Sequence, residues 1–352
     1  MELYKMGKKV MLVNKKFYSN TVKNSIMPNN FFSKNLIDKD NFNKENNSFY
    51  KKGKYFYSKY LFLYERDVVS GDSFEYQINS QGFRGKDFDE FDKNNINILF
   101  GGCSQTLGVG LPEENTWYKK LSDRVALMHE GKKVDFYNIS VNGSSIELIV
   151  KNTIAFIKRG TKPDYIFLFL PESSRVMSFN KDENEFDLYI PNAKFEKERK
   201  YYLNNYIHED KLLINFILLS LLEEVCILSG IKLLWTTWER PESKMYMDGG
   251  FNNFFKIDEN LASIAVNPPD EKFGRMDFLE KQYKIEIEKF NNRYNNKNNE
   301  PYWHSARDGL HYGSAASSVI ADIFIKELDP YYYSSLYTEK IQKNQKDASN
   351  NT

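Results

Sequence analysis

Residues 95–108 read NINILFGGCSQTLG: an apolar run from Asn95 to Phe100, then Gly101-Gly102, then Cys103-Ser104-Gln105-Thr106. A short apolar run closed by turn residues is the pattern of a strand buried on both faces. A serine at the following turn, flanked by glycines, holds its hydroxyl at the sheet's edge with backbone N–H groups beside it. The nucleophile-elbow pattern GxSxG is not matched, because Thr106 stands where its last glycine belongs. Downstream the alternation continues. A helix is expected over 115–128, with Gly131 as its cap, and a second strand over Val134–Val141 (VDFYNISV). Residues 145–158 carry apolar side chains at 146, 149, 150, 154 and 157, the spacing of one helical face. Asp164–Leu170 (DYIFLFL) reads as a third strand ended by Pro171, followed by a long apolar helix over Lys211–Leu228 capped by Gly230. Ile231–Trp238 (IKLLWTTW) is a fourth strand and Gly313–Leu328 a last helix. This order predicts an α/β fold of three layers, α/β/α, with a flavodoxin-like doubly wound parallel sheet. Its site belongs at the carboxyl ends of the strands.

Around that core, which spans 93–330, the sequence places three additions. Residues 1–92 form an N-terminal extension rich in Asn, Lys, Tyr and Phe, without a clean helical or strand period. Within it, Tyr76–Phe88 reads as a short strand, a turn at Gln81-Gly82 and a polar exit, and the extension's aromatics require it to pack on the core. Two insertions, about 172–210 and 239–300, enlarge the core, the second with a charged helix near 270–294. Residues 331–352 form a C-terminal tail.

Composition excludes some functions. The 352 residues are 41% hydrophobic and 16% aromatic, a globular rather than a disordered balance. With 49 basic against 48 acidic residues the formal net charge is +1, which speaks against nucleic acid as a partner. The two cysteines, Cys103 and Cys226, are too few for a disulfide framework and too far apart for a CxxC motif. The N-terminal residues hold no apolar stretch long enough for a secretory signal. Leu212–Leu228 is interrupted by Glu223 and Glu224, so it reads as a buried helix and not a membrane span. The expectation is a cytoplasmic protein with no membrane partner; release by lysis or in a particle leaves no trace in sequence.

A nucleophilic serine needs a general base, and only four histidines are present. His129 falls in the last turn of a helix, where a cation complements the dipole, and His208 lies among polar insertion residues. His304 and His311 flank the segment HSARDGLHYG, in which Asp308 lies three residues before His311. On a turn, that spacing lets the carboxylate reach one imidazole nitrogen and leaves the other for a hydroxyl. His304, Asp308 and His311 also have helical spacing for a metal, against which Gly309 and the polar context count; no metal is assigned.

These segments resemble the GDSL/SGNH hydrolase superfamily. Gly102–Gly108 after a buried strand is similar to its first block, with Cys103 at the aspartate position. Asp308-Gly309-Leu310-His311 before a final helix is similar to its last block. Asn138–Ser144 resembles the second block, whose glycine helps bind the oxyanion, and Asn79–Gly85 resembles a lead-in found in some members. The resemblance covers about 79–328 and implies a Ser104–His311–Asp308 triad acting by an acyl-enzyme, with no cofactor. It implies an oxyanion hole from the N–H groups of Ser104 and Gly143, with Asn142 or Ser173 as further donors. One block departs from the family: the asparagine expected after the third strand is missing from Pro171-Glu172-Ser173-Ser174-Arg175. The expected substrate is an ester, an acyl group and above all acetyl on a carbohydrate or similar small molecule. Arg175, Trp238, Trp303 and His304 are the expected substrate contacts, and Tyr201, Tyr202, Trp235 and Tyr302 further aromatics near the strand ends. Two other readings use the same residues: a binding or structural module on a hydrolase fold, and an O-acyltransferase that excludes water.

Overall fold

The computed structural model describes residues 36–38, 53–57, 75–180, 185–189, 208–237, 245–255, 311 and 313–334. Three short strands come first, β1 (Leu36–Asp38), β2 (Gly53–Tyr57) and β3 (Glu75–Ile78), paired antiparallel in that order. The main sheet is built from β4 (Ile96–Gly102), β5 (Val134–Asn138), β6 (Tyr165–Leu170) and, beyond a hairpin of β7 (Val176–Asn180) and β8 (Glu185–Tyr189), β9 (Lys232–Thr237). Its order is β5-β4-β6-β9 and every pairing in it is parallel. In chain order the strands thus run 2-1-3-4, the flavodoxin-like arrangement. The chain reverses its direction of winding between β4 and β6, so the crevice outside their carboxyl ends is the natural place for a ligand.

Both faces of this sheet are covered, which is why β4 and β6 read as continuous apolar runs. The helices are α1 (Ser104–Leu107), α2 (Trp117–Met128), α3 (Ile146–Lys158), α4 (His208–Ser229) and α5 (Ser314–Leu328). Leu99, Ile166, Leu168, Leu170, Leu233 and Trp235 form one buried cluster with Ile149 and Phe156 of α3 and Leu219, Leu222 and Cys226 of α4. The alternate residues Ile98, Phe100, Phe167, Phe169 and Leu234 point the other way, to Trp117, Leu121 and Val125 of α2 and Ile320, Phe324 and Ile325 of α5. Three layers result, and period-two alternation decides which residue serves which layer. The second interface is aromatic: Trp117 stacks on Phe324 at 5.0 Å and meets Phe100 edge-on at 5.2 Å.

Several boundaries differ from the sequence reading. β4 does not stop at Phe100 but continues through both glycines, Gly101 pairing with Leu168 and Gly102 with Phe169. A Cβ on Gly101 would come within 2.7 Å of Leu168 Cδ2, so the Leu168 side chain fills the space beside this glycine. β5 ends at Asn138, not Val141, because the Asn138 side chain turns back and accepts from Ser140 N (2.9 Å). The first insertion, read only as polar, contains the β7–β8 hairpin, with Val176 opposite Tyr189. Trp235, expected near the strand ends, is fully buried, and its Nε1 donates to Glu223 at 2.9 Å.

Helix α4 corrects the reading of a buried helix. Leu212, Asn215, Leu219, Leu222, Glu223 and Cys226 are buried, whereas Leu213, Ile214, Ile217, Leu221, Ile227 and Leu228 are exposed, Leu228 by 84%. Residues 210–229 are long and apolar enough to cross a membrane by length and composition. Yet two charged groups anchor the helix to the core: Lys211 pairs with Glu147 of α3, and Glu223 takes the Trp235 indole and the Asn253 N–H. The charged helix expected near 270–294 lies outside the described residues.

Candidate active site

β4 delivers Ser104 to the crevice. Cys103 is the cap of α1 and Ser104 its first residue, so the Ser104 N–H has no acceptor within the helix by position. A side chain on Gly102 would collide with Thr106 and come within 2.8 Å of the Phe169 carbonyl, so the turn is built around glycine. Ser104 is buried, and its hydroxyl donates to Cys103 Sγ at 3.9 Å. Sulfur is a weak acceptor, so this contact holds the hydroxyl loosely.

Cys103 is itself buried, and burial pushes its thiol up, against the opposing pull of the Arg175 guanidinium and the Gln105 N–H. The position taken by an aspartate in the resembling family is therefore neutral here. Arg175 reaches Cys103 from the segment after β6 and pairs with Glu172 through Nη2–Oε2 at 3.0 Å. Burial works against the guanidinium's charge, but Cys103 and Glu172 more than offset it, so Arg175 stays protonated. Between them Ser173 is buried. Sequence reasoning missed Glu172 as the partner of Arg175, although their i,i+3 spacing was the available signal.

A third segment closes on the same place. Past β5, Ile139 N donates to Phe100 O (2.9 Å) and Val141 N to Gly102 O (3.2 Å), which lays residues 139–141 along the end of β4. Asn138 Nδ2 donates to Thr106 O at 3.1 Å, tying this segment to α1. Asn142 and Gly143 follow at the turn, Gly143 with φ +71° and open space where a side chain would stand.

The fourth segment is set by the direction of α5. Lys120 Nζ donates to Ser314 and Ser318 (both 3.0 Å), and Arg124 pairs with Asp322 (2.7 Å), so α5 runs parallel to α2. α2 ends at His129, whose Nε2 lies 2.8 Å from the hydroxyl of Tyr165, the first residue of β6. The carboxyl end of α2 thus lies at the amino ends of the strands, and the start of α5 lies at their carboxyl ends. Half-buried His311 stands three residues before Ser314, where α5 begins. His129 is a structural residue of the opposite edge. Asp308, Trp238, Trp303 and His304, with Tyr201, Tyr202 and Tyr302, lie outside the described residues.

No protein-family model and no curated protein matches the chain. Among solved structures it is similar to TesA, at 14% identity and a TM-score of 0.35 over 66% of this chain and 98% of that one. It is similar to Axe2, an acetyl-xylooligosaccharide esterase from Geobacillus stearothermophilus, at 13% identity and a TM-score of 0.33 over 67% of this chain and 96% of that one. A lipolytic G-D-S-L family protein from Veillonella parvula is similar at 11% identity and a TM-score of 0.28, over 64% and 93% of the two chains. The last carries the name of the superfamily that the sequence blocks resemble. With TM-scores of 0.28 to 0.35, the functional reading stands on the chain's own residues.

Proposed function

We propose that the chain is a serine ester hydrolase whose nucleophile is Ser104. The observation that supports this best is the place of Ser104: first residue of α1, two residues past the end of the central strand, at the sheet's switch point, with residues 139–143 laid along the same strand end and Arg175 at the neighbouring Cys103. In this reading the Ser104 hydroxyl turns from Cys103 toward His311, which takes its proton as Oγ attacks the ester carbonyl. Asp308 orients His311 and stabilises its cation. The N–H groups of Ser104 and Gly143 face the developing oxyanion, with Asn142 and Ser173 beside them. The alcohol leaves with the proton from His311, and water activated by the same imidazole releases the acid. A carbohydrate acyl ester, acetyl above all, is the substrate this reading expects, with Trp238, Trp303 and His304 as its expected contacts and a formal net charge of only +1 to repel or select ions.

The absence of asparagine from residues 171–175 favours a second reading, a binding module on the same fold. Labelling with a fluorophosphonate separates the two. The hydrolase reading expects covalent labelling of the parent protein and none of the Ser104→Ala variant. Folded parent protein that takes up no label removes the hydrolase reading in favour of the binding module.

A further inference from the structure

We propose that Arg84, stacked on Tyr76, is the positioning residue of the nucleophile: it holds in place the one-turn helix that carries Ser104. This rests on the serine-hydrolase reading for its catalytic meaning, although the grip itself is a matter of geometry.

A four-residue helix cannot stabilise itself, because nucleating one turn costs more than its few hydrogen bonds return. α1 is such a helix, and side chains from outside it answer the Thr106 and Leu107 carbonyls. Arg84 Nη1 donates to Leu107 O (3.0 Å) and Gly108 O (2.8 Å), and Nη2 donates to Leu111 O (2.9 Å). The Tyr76 hydroxyl donates to Gly108 O (3.3 Å) and accepts from Gly110 N (2.7 Å). The guanidinium lies 4.2 Å from the centre of the Tyr76 ring. Ser104 O in turn accepts from Gly108 N (3.0 Å) and Val109 N (3.1 Å), so the residues gripped by Arg84 are those that close the turn on the nucleophile. Gly108 is in the left-handed region at φ +73°, and a Cβ there would come within 2.9 Å of Arg84 Nη1. The fit leaves no slack.

The chemistry of the grip argues against a purely stabilising role. Arg84 is 1% exposed, and among the described residues no carboxylate pairs with it. Burying a cation against carbonyls and a ring face is an expensive way to fill space. What the planar fork adds is direction, since its N–H groups fix several carbonyls at once. The fork is aimed by its own hairpin: Asn79 Oδ1 accepts from Phe83 N (2.8 Å) and Gln81 N (3.1 Å), and Gly85 N donates to Gln77 O (2.8 Å). The lead-in before the core thereby belongs to the catalytic unit.

The test uses the full chain with Arg84→Ala and Arg84→Lys, their folding checked by thermal melting. Arg84→Ala is expected to slow fluorophosphonate labelling of Ser104, and kcat on p-nitrophenyl acetate, by about 100-fold, the scale of an ångström's misplacement, with KM within about two-fold. Millimolar guanidinium is expected to restore part of the rate, and Arg84→Lys to lie between. Hydrogen exchange at residues 104–111 is expected to accelerate in both variants while β6 stays protected. A folded variant that labels at the parent rate with unchanged exchange at 104–111 overturns the proposal. Should Arg84→Ala not fold, Arg84→Lys carries the same comparison. If the parent itself takes no label, the hydrolase reading fails, and exchange at 104–111 alone decides whether Arg84 holds the turn.

Discussion

Arg175 occupies the segment where the resembling family supplies an asparagine, and it brings a charge where that family brings a neutral amide. The guanidinium sits at Cys103, one residue from the nucleophile, and is held there by Glu172. An oxyanion forming on a substrate at Ser104 would meet this charge without an intervening carboxylate from position 103. Arg175→Met is therefore expected to lower kcat on p-nitrophenyl acetate by about 100-fold, as loss of one oxyanion-stabilising group does. An unchanged kcat in a folded variant would confine Arg175 to a structural ion pair. That Ser104 stands just past the end of β4 was legible, because glycines on a strand end are a local signal. The contacts of Arg84 were not. Arg84 meets carbonyls 23 to 27 residues away, and no local period encodes such a meeting.

At the scale of elements, α3 was legible from its apolar spacing, α2 and α5 from their place in the strand–helix alternation, and β4, β6 and β9 from short, largely apolar runs. The β7–β8 hairpin was not, because its strands carry charged residues among the apolar ones and lie in a polar stretch. The lead-in hairpin is tied to the sheet by Lys86, whose Nζ lies 2.9 Å from Asp135 Oδ2, while Asn95 Nδ2 donates to the same oxygen at 2.7 Å. Burial alone would raise the Asp135 carboxyl, but the bonds from Lys86 and Asn95 and the charges of Lys86 and Lys133 outweigh it and hold it below its ordinary value. A carboxyl lowered in the folded state adds stability above the ordinary carboxylate range, and that stability is lost as pH falls through the folded value. Asp135→Asn is expected to cost about 1 kcal/mol at pH 7, measured by urea unfolding. The gap should begin to narrow below about pH 4, the ordinary carboxylate value, and close only once the pH has passed the lower value of the folded carboxyl. A gap that persists at low pH would assign the cost to packing instead.

For the whole molecule, a parallel sheet covered on both faces was read from the alternation of strands and helices, and the rule that such sheets bind ligands where the winding reverses is what proposes a site at that point. What hydropathy could not give was which side of an apolar helix is covered. A run such as Leu212–Leu228 has apolar residues at nearly every position, so it carries no period to separate an inner face from an outer one. The structure separates them by partners: Glu223 and Lys211 are tied into the core, while Ile217 and Leu221 are exposed by 51% and 53%. Substitutions on such exposed positions change stability by no more than about 0.5 kcal/mol. The double variant Ile217→Gln, Leu221→Gln is therefore expected to unfold at nearly the parent's urea midpoint. Its binding of a hydrophobic dye in the native state is expected to fall, because two large apolar groups leave the surface. A substantial loss of stability would show that this face is packed in the folded chain, since only buried apolar groups return several kcal/mol on removal.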